Sequence, residues 1–174
     1  MSEDRVDQLI ESWRQELPGV LYPTSELTKR VMLLAGDLNE VTRRVLRELG
    51  LTTAEFDVLV TLRRSGAPYR MKPTDLSRSL MLSSGGTSNV VNQLVNRELV
   101  VREPDPEDGR GTQIRLTTKG VEAAEQAVQA SSAAHDEMWA DVPAEAVRTA
   151  AEALRPLFAE NRPAARARRT EIRS

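Results

Sequence analysis

The stretch Ser83–Asn96, SSGGTSNVVNQLVN, carries side chains suited to a chemical task, and the task is hydrogen bonding. Read as a helix, it turns Val90, Val91, Leu94 and Val95 one way and leaves Thr87, Ser88, Asn89, Asn92, Gln93 and Asn96 for the rest. Ser83 or Ser84 can cap it, and Gly85-Gly86 lets a backbone or ligand come close. Solvated helix faces usually favour Glu and Lys over Ser, Thr and Asn, which are poor helix formers. A nearly uncharged face of short donors and acceptors instead suits reading base edges in a major groove. Ser83, Ser84, Thr87, Ser88, Asn89, Asn92 and Gln93 are the candidate contacts.

A second chemical feature lies downstream. Arg110 stands between Gly109 and Gly111 in the turn PDPEDGRGT, which separates Val100-Val101-Arg102 from Gln113-Ile114-Arg115-Leu116. Two short β-prone runs around a Pro/Asp/Gly turn read as a hairpin. An arginine at its tip fits an A·T-rich minor groove, where the negative potential is strongest. Asp105 and Asp108 would orient it through charge-assisted hydrogen bonds. Enzyme chemistry has no comparable support: there is no G-x-G-x-x-G, no G-x-x-x-x-G-K-[ST] and no G-x-S-x-G. The single His135, in the run HDE, reads as a lone exposed histidine, so no metal or cofactor is expected.

Helices must position these residues. Pro73 suits a first helical position, and Leu76 and Leu80 form an i, i+4 stripe just before the polar helix. Thr52 and Glu55 make a capping box for a helix ending near Ser65-Gly66, with Phe56, Leu59, Val60 and Leu62 as its buried side and Asp57 beside them. Tyr69 and Arg70 in the following loop either reach a phosphate or brace a neighbouring strand. Further upstream, a helix opens at Thr24 or Ser25 and closes at Gly50. Its Leu27, Val31, Leu34, Leu38, Val41, Val45 and Leu49 alternate spacings of four and three, a coiled-coil-like seam suited to another helix, of this chain or of a second copy. An amphipathic arm, with Val6, Leu9, Ile10, Trp13 and Leu17 on one side, ends at Pro18-Gly19. Thr117 can cap a long helix through Val121, Ala124 and Val128, and Pro143 with Glu145 starts a last one.

The run DPEDGRGTQIRLTTKG resembles the wing signature of MarR-type winged helix-turn-helix regulators, and LTTAEFDVLVTLRRSGAPYRMKPTDLSRSL resembles their preceding helices. The likeness spans roughly Leu27 to Leu157. It implies a mainly α fold with a small β-hairpin wing (α+β) and a helical dimerisation region. It also implies a homodimeric, ligand-responsive transcription factor, usually a repressor, with an activator left open. Two positions depart from the pattern: Gly109 stands where an arginine is common, and Glu98 where a glycine ends the recognition helix. A left-handed Glu98 would cost about 1 kcal/mol. One subgroup, responsive to urate and related small anions, has an extra N-terminal helix with a tryptophan. By that resemblance the ligand residues are Trp13 in LIESWRQE, Asp57 in AEFDVLV and Arg102 in LVVREPD, while Val90 occupies the place of a second arginine. Without that fixed guanidinium fork, a larger, more apolar anion or a phenolic compound is expected in place of urate.

Composition bounds the rest. The chain has 174 residues, no cysteine, a formal net charge of −2 and 3% aromatic residues. Disulfides and thiolate metal sites are excluded, indiscriminate nucleic-acid binding is disfavoured, and a stacking platform for single strands lacks its aromatics. The apolar runs are too short to span a bilayer and MSEDRVDQL lacks a signal-peptide pattern, so a cytoplasmic location without membrane contact is expected. The organisation read from the chain is an arm over 1–20, dimerising helices over 24–50 and 117–160, and a DNA-binding unit over 51–116. A basic tail over 161–174 reads as disordered. Two recognition helices about 34 Å apart would face a pseudo-palindromic duplex. The rival reading is a winged-helix dimerisation module that touches no DNA.

Overall fold

The computed structural model describes residues 4–81, 83–106 and 111–158, so the basic tail over 161–174 lies outside the described residues. Among those described, seven helices and three strands follow one another as α1 (Arg5–Glu16), α2 (Ser25–Glu48), α3 (Thr53–Arg64), β1 (Arg70–Met71), α4 (Pro73–Leu80), α5 (Ser84–Asn96), β2 (Val100–Pro104), β3 (Thr112–Leu116), α6 (Thr118–Glu137) and α7 (Ala144–Leu154). Short 3-10 turns, Pro18–Val20 and Arg155–Phe158, follow α1 and α7. The chain divides into two compact units, the first ending at His135 and the second beginning at Asp136.

Local chemistry explains most boundaries of the first unit. Asp4 caps α1 by accepting from the Val6 and Asp7 amides at 2.7 and 2.9 Å, and Asp7 returns the bond to the Asp4 amide at 3.0 Å. The Thr52/Glu55 capping box forms as the spacing predicts, with Thr52 N–H donating to Glu55 Oε2 at 2.9 Å and Glu55 N–H to Thr52 Oγ1 at 3.2 Å. Thr117 Oγ1 accepts from Gly120 N–H at 2.9 Å and so caps α6. Gly50 ends α2 at φ +65°. Thr24 precedes α2 without a side-chain cap; Ser25 Oγ accepts from Tyr22 N–H instead.

The sheet is larger than a hairpin. β3 lies between β1 and β2, both antiparallel to it, with Arg70 opposite Arg115, Met71 opposite Ile114 and Arg102 opposite Ile114 from the other side. The two-residue β1 carries no periodicity of its own and is recruited because β3 has a free edge. Arg70 lies 4.0 Å from Glu103, and the Tyr69 carbonyl accepts from Leu116 N–H at 3.1 Å, so this loop braces the sheet.

One core joins these elements. Leu46, Val58, Leu59, Leu62, Leu76, Val91, Leu94, Val100, Ile114 and Leu116 are buried in it, together with Ala124 and Ala127 of α6. Burying each large aliphatic side chain contributes about 1.5–3 kcal/mol. That decides the fate of α5, whose glycines, serines and asparagines cost about 5 kcal/mol in helix propensity relative to alanine. Fully buried Val91 and Leu94, helped by half-buried Val90 and Val95, offset a cost of that size. The helix exists because it is packed.

The arm docks through Val6 and Ile10, while Leu9, Trp13 and Leu17 on the same stripe remain exposed. Arg30 of α2 ties it down, reaching Asp4 at 3.0 Å and Asp7 at 2.6 Å. Leu27, Val31 and Leu34 of the α2 seam are 42–43% exposed. His135, expected to be exposed, is half-buried with Nε2 2.8 Å from Thr42 Oγ1. That correction follows from the end of α6 meeting Thr42 of α2, a contact no local pattern announces. In the second unit, Asp136 and Trp139 carbonyls accept from Trp139 and Val142 amides and turn the chain into α7, where Pro143 is the N-cap residue. No described helix is long and apolar enough to cross a membrane.

Candidate nucleic-acid interface

α4 and α5 form the helix-turn-helix, joined through Met81, which takes the left-handed conformation at φ +53°. Ser83 caps α5, its Oγ accepting from Gly86 N–H at 3.1 Å. Ser84, Ser88, Asn89, Asn92, Gln93 and Asn96 are exposed along α5; Asn89, Gln93 and Asn96 stand opposite Val91 and Leu94, whereas Ser84 and Ser88 border a cavity on the Val91 side. This outward face has no charged residue and many short hydrogen-bonding groups. Thr87 does not belong to it. At 2% exposure it lies one turn before Val91 on the buried side, and its hydroxyl donates to the Ser83 carbonyl at 3.1 Å. Its place among the base-reading candidates is therefore corrected to a packing role.

The base of the hairpin is tied to the helices. Arg102 Nη2 donates to Asn92 Oδ1 at 3.0 Å, linking β2 to α5. Buried Asp105 accepts from Gln113 Nε2 at 2.9 Å and lies 2.9 Å from Lys72 Nζ, at the start of α4. Lys72 carried no distinguishing signal in the sequence beyond its place before Pro73. Arg110 and Asp108 lie outside the described residues.

A second ion pair braces α5 from its far end. Arg97 Nη1 donates to Glu55 Oε1 at 2.8 Å, so the N-terminus of α3 holds the C-terminus of α5. Burial would raise the Glu55 carboxyl, but the Thr52 N–H, the Arg97 guanidinium and the Thr52 hydroxyl outweigh it and hold it below its ordinary value. The sequence showed Glu55 as a cap but not its partner, because the pair spans 42 positions.

The proposed ligand residues fall on separate surfaces of one chain. Arg102 borders a cavity of about 350 Å³ beneath the helix-turn-helix, lined also by Pro73, Ser77, Ser88, Val91 and Ile114. Asp57 lines a different cleft of about 250 Å³ with Arg64 and Leu80, and burial pushes its carboxyl above the ordinary value. Trp13 lines neither and sits 43% exposed on the arm.

Comparison with known proteins accords with this geometry. Residues 49–111 match the family model described as MarR family. The HTH-type transcriptional regulator PecS of Dickeya dadantii (strain 3937) is 31% identical over 122 residues, covering 66% of this chain and 69% of that protein. The multiple antibiotic resistance protein MarR of Escherichia coli (strain K12) is 30% identical over 134 residues, covering 72% and 91%. The crystal structure of wild-type apo MarR from E. coli superposes with a TM-score of 0.69 at 26% identity, over 79% of this chain and 98% of that one. A mutant MarR from E. coli complexed with operator DNA superposes with a TM-score of 0.63 at 24% identity, over 84% and 97%. A match of this extent, on a chain whose helix-turn-helix and sheet are built as described, means that it belongs to the MarR family of DNA-binding transcriptional regulators.

Proposed function

We propose that the protein binds a pseudo-palindromic operator as a homodimer and that a small aromatic or phenolic anion releases it, so that it acts as a repressor. One observation carries the reading: the exposed face of α5 is polar, uncharged and rigidly backed by Val91 and Leu94. Ser84, Ser88, Asn89, Asn92 and Gln93 are the proposed base contacts; Asn and Gln pair well with adenine, and serine with either kind of pair. Arg110 would add a minor-groove contact. The operator complex of the E. coli relative supports duplex DNA as the partner. The exposed N-terminal part of the α2 seam, Leu27, Val31 and Leu34, supports dimerisation through 24–50 and 117–160, which sets the spacing of the two α5 helices.

The effector is placed at Arg102. Its guanidinium stands at the rim of the 350 Å³ cavity and is also bonded to Asn92 on the reading face. An anion entering the cavity competes with Asn92 for that guanidinium and disturbs the face that meets DNA. Trp13 and Asp57 are not needed for this step.

Selection of bound duplexes from a random pool, then gel shift, tests both halves. Asn89→Ala and Gln93→Ala are expected to relax the preference at single base pairs, each worth about 1–3 kcal/mol of discrimination. Benzoate should weaken the wild-type complex and leave Arg102→Gln indifferent. Retention of no duplex at low salt would sink the DNA reading; an unchanged benzoate response in Arg102→Gln would sink the effector site alone.

A further inference from the structure

On the DNA reading above, Asp105 is an unexpected residue beside a surface proposed to meet phosphate. A carboxylate there repels the polyanion, and electrostatics alone favours its absence. Yet it is fully covered, with 0% of its side chain exposed. Strand register explains how. Pro104 pairs with Thr112, so Asp105 continues the ladder and its N–H donates to the Gly111 carbonyl at 2.9 Å. Met71 pairs with Ile114 on the other side of β3, so Lys72, next along, comes level with Gln113. Lys72 Nζ and Gln113 Nε2 both reach the Asp105 carboxylate at 2.9 Å. Three segments meet there: the exit of β2, the start of β3 and the residue that begins α4.

We propose that Asp105 is a positioning residue for DNA binding. Through Lys72 and Gln113 it fixes the angle between the hairpin and the helix-turn-helix, so that both reach one duplex together. The inference rests on the DNA reading above and adds to it a specific joint. It also separates two physical effects by sign. If charge alone mattered, Asp105→Asn would tighten binding and the neutral change Gln113→Met would leave it untouched. If position matters, both variants weaken binding.

The probe is a duplex enriched from a random pool by the wild-type protein, with affinity measured between about 0.05 and 0.2 M salt. Asp105→Asn and Gln113→Met are each expected to bind about ten-fold more weakly. The slope of log affinity against log salt should become shallower by about one, the signature of a lost phosphate contact. Their double variant should be no weaker than the weaker single one. Circular dichroism and native size should match wild type; if Asp105→Asn does not fold, Gln113→Met decides alone. Wild-type affinity in Gln113→Met, or wild-type or tighter affinity in Asp105→Asn, overturns the inference while leaving the DNA reading intact. A wild-type protein that enriches no duplex overturns both.

Discussion

Replacing Gly120 by alanine tests how closely α6 is seated against Leu99, which leads from α5 into β2. A Cβ at Gly120 would lie 1.9 Å from the Leu99 carbonyl oxygen and 2.9 Å from its carbon. A weak C–H···O contact needs about 3.3 Å, so the overlap is roughly 1.4 Å. No rotamer change relieves it, because the obstructing atoms are backbone. That carbonyl also accepts from Thr117 N–H at 3.1 Å, so moving α6 away breaks the cap region that joins it to β3. Overpacking costs about 1–3 kcal/mol and each lost hydrogen bond about 1. Against this, alanine gains about 1 kcal/mol in helix propensity. The net expectation is a loss of about 1–3 kcal/mol, or roughly 2–12 °C in melting temperature for a chain of this size. Gly36→Ala is the control: it lies in α2 with nothing within 4 Å of its Cβ, and should hold or raise the melting temperature. Thermal unfolding at fixed protomer concentration gives both values, since dimerisation would make them concentration-dependent. A Gly120→Ala protein as stable as wild type would refute the close seating.

Three further outcomes follow from single residues. Glu98 sits at φ +62°, so Glu98→Gly should gain up to about 1 kcal/mol, and an unchanged denaturation midpoint would show that no strain resides there. Because the Glu55 carboxyl is held below its ordinary 4.5, its stabilising effect is full above that pH and is lost as pH falls through the folded value. Arg97→Gln should therefore be less stable than wild type near neutrality, with the gap narrowing below pH 4.5; a gap independent of pH would contradict the pairing. Asp57 has the opposite sign: its carboxyl is raised above 3.8, so its charge opposes folding increasingly as pH rises through that window. Because Asp57 is exposed, Asp57→Asn should gain only slightly at neutral pH and nothing below 3.8, as urea titrations at the two pH values can show.

What the amino-acid order determined by itself was much of what neighbours along the chain govern, though the cap expected at Thr24 did not form and the Asp4/Asp7 box was not among the expected caps. The Thr52/Glu55 box, Pro73 at the head of α4, Ser83 as the cap of α5 and Thr117 as the cap of α6 are contacts over three residues or fewer, and each formed where the residues required it. The apolar stripes also indicated which sides of α3 and α4 face inward. Tertiary structure decided what depends on distance along the chain. Thr87 could have faced either way on a helix with apolar residues at 90, 91, 94 and 95, and only packing against the core made 87, 91 and 94 the buried row. β1 became a strand only because β3 offered an open edge. Lys72 met Asp105, Arg97 met Glu55 and Thr42 met His135 across 33, 42 and 93 positions respectively, separations at which side-chain type alone names no partner. Short-range hydrogen bonds are encoded in spacing; long-range ones exist only after the hydrophobic core has chosen which segments lie side by side.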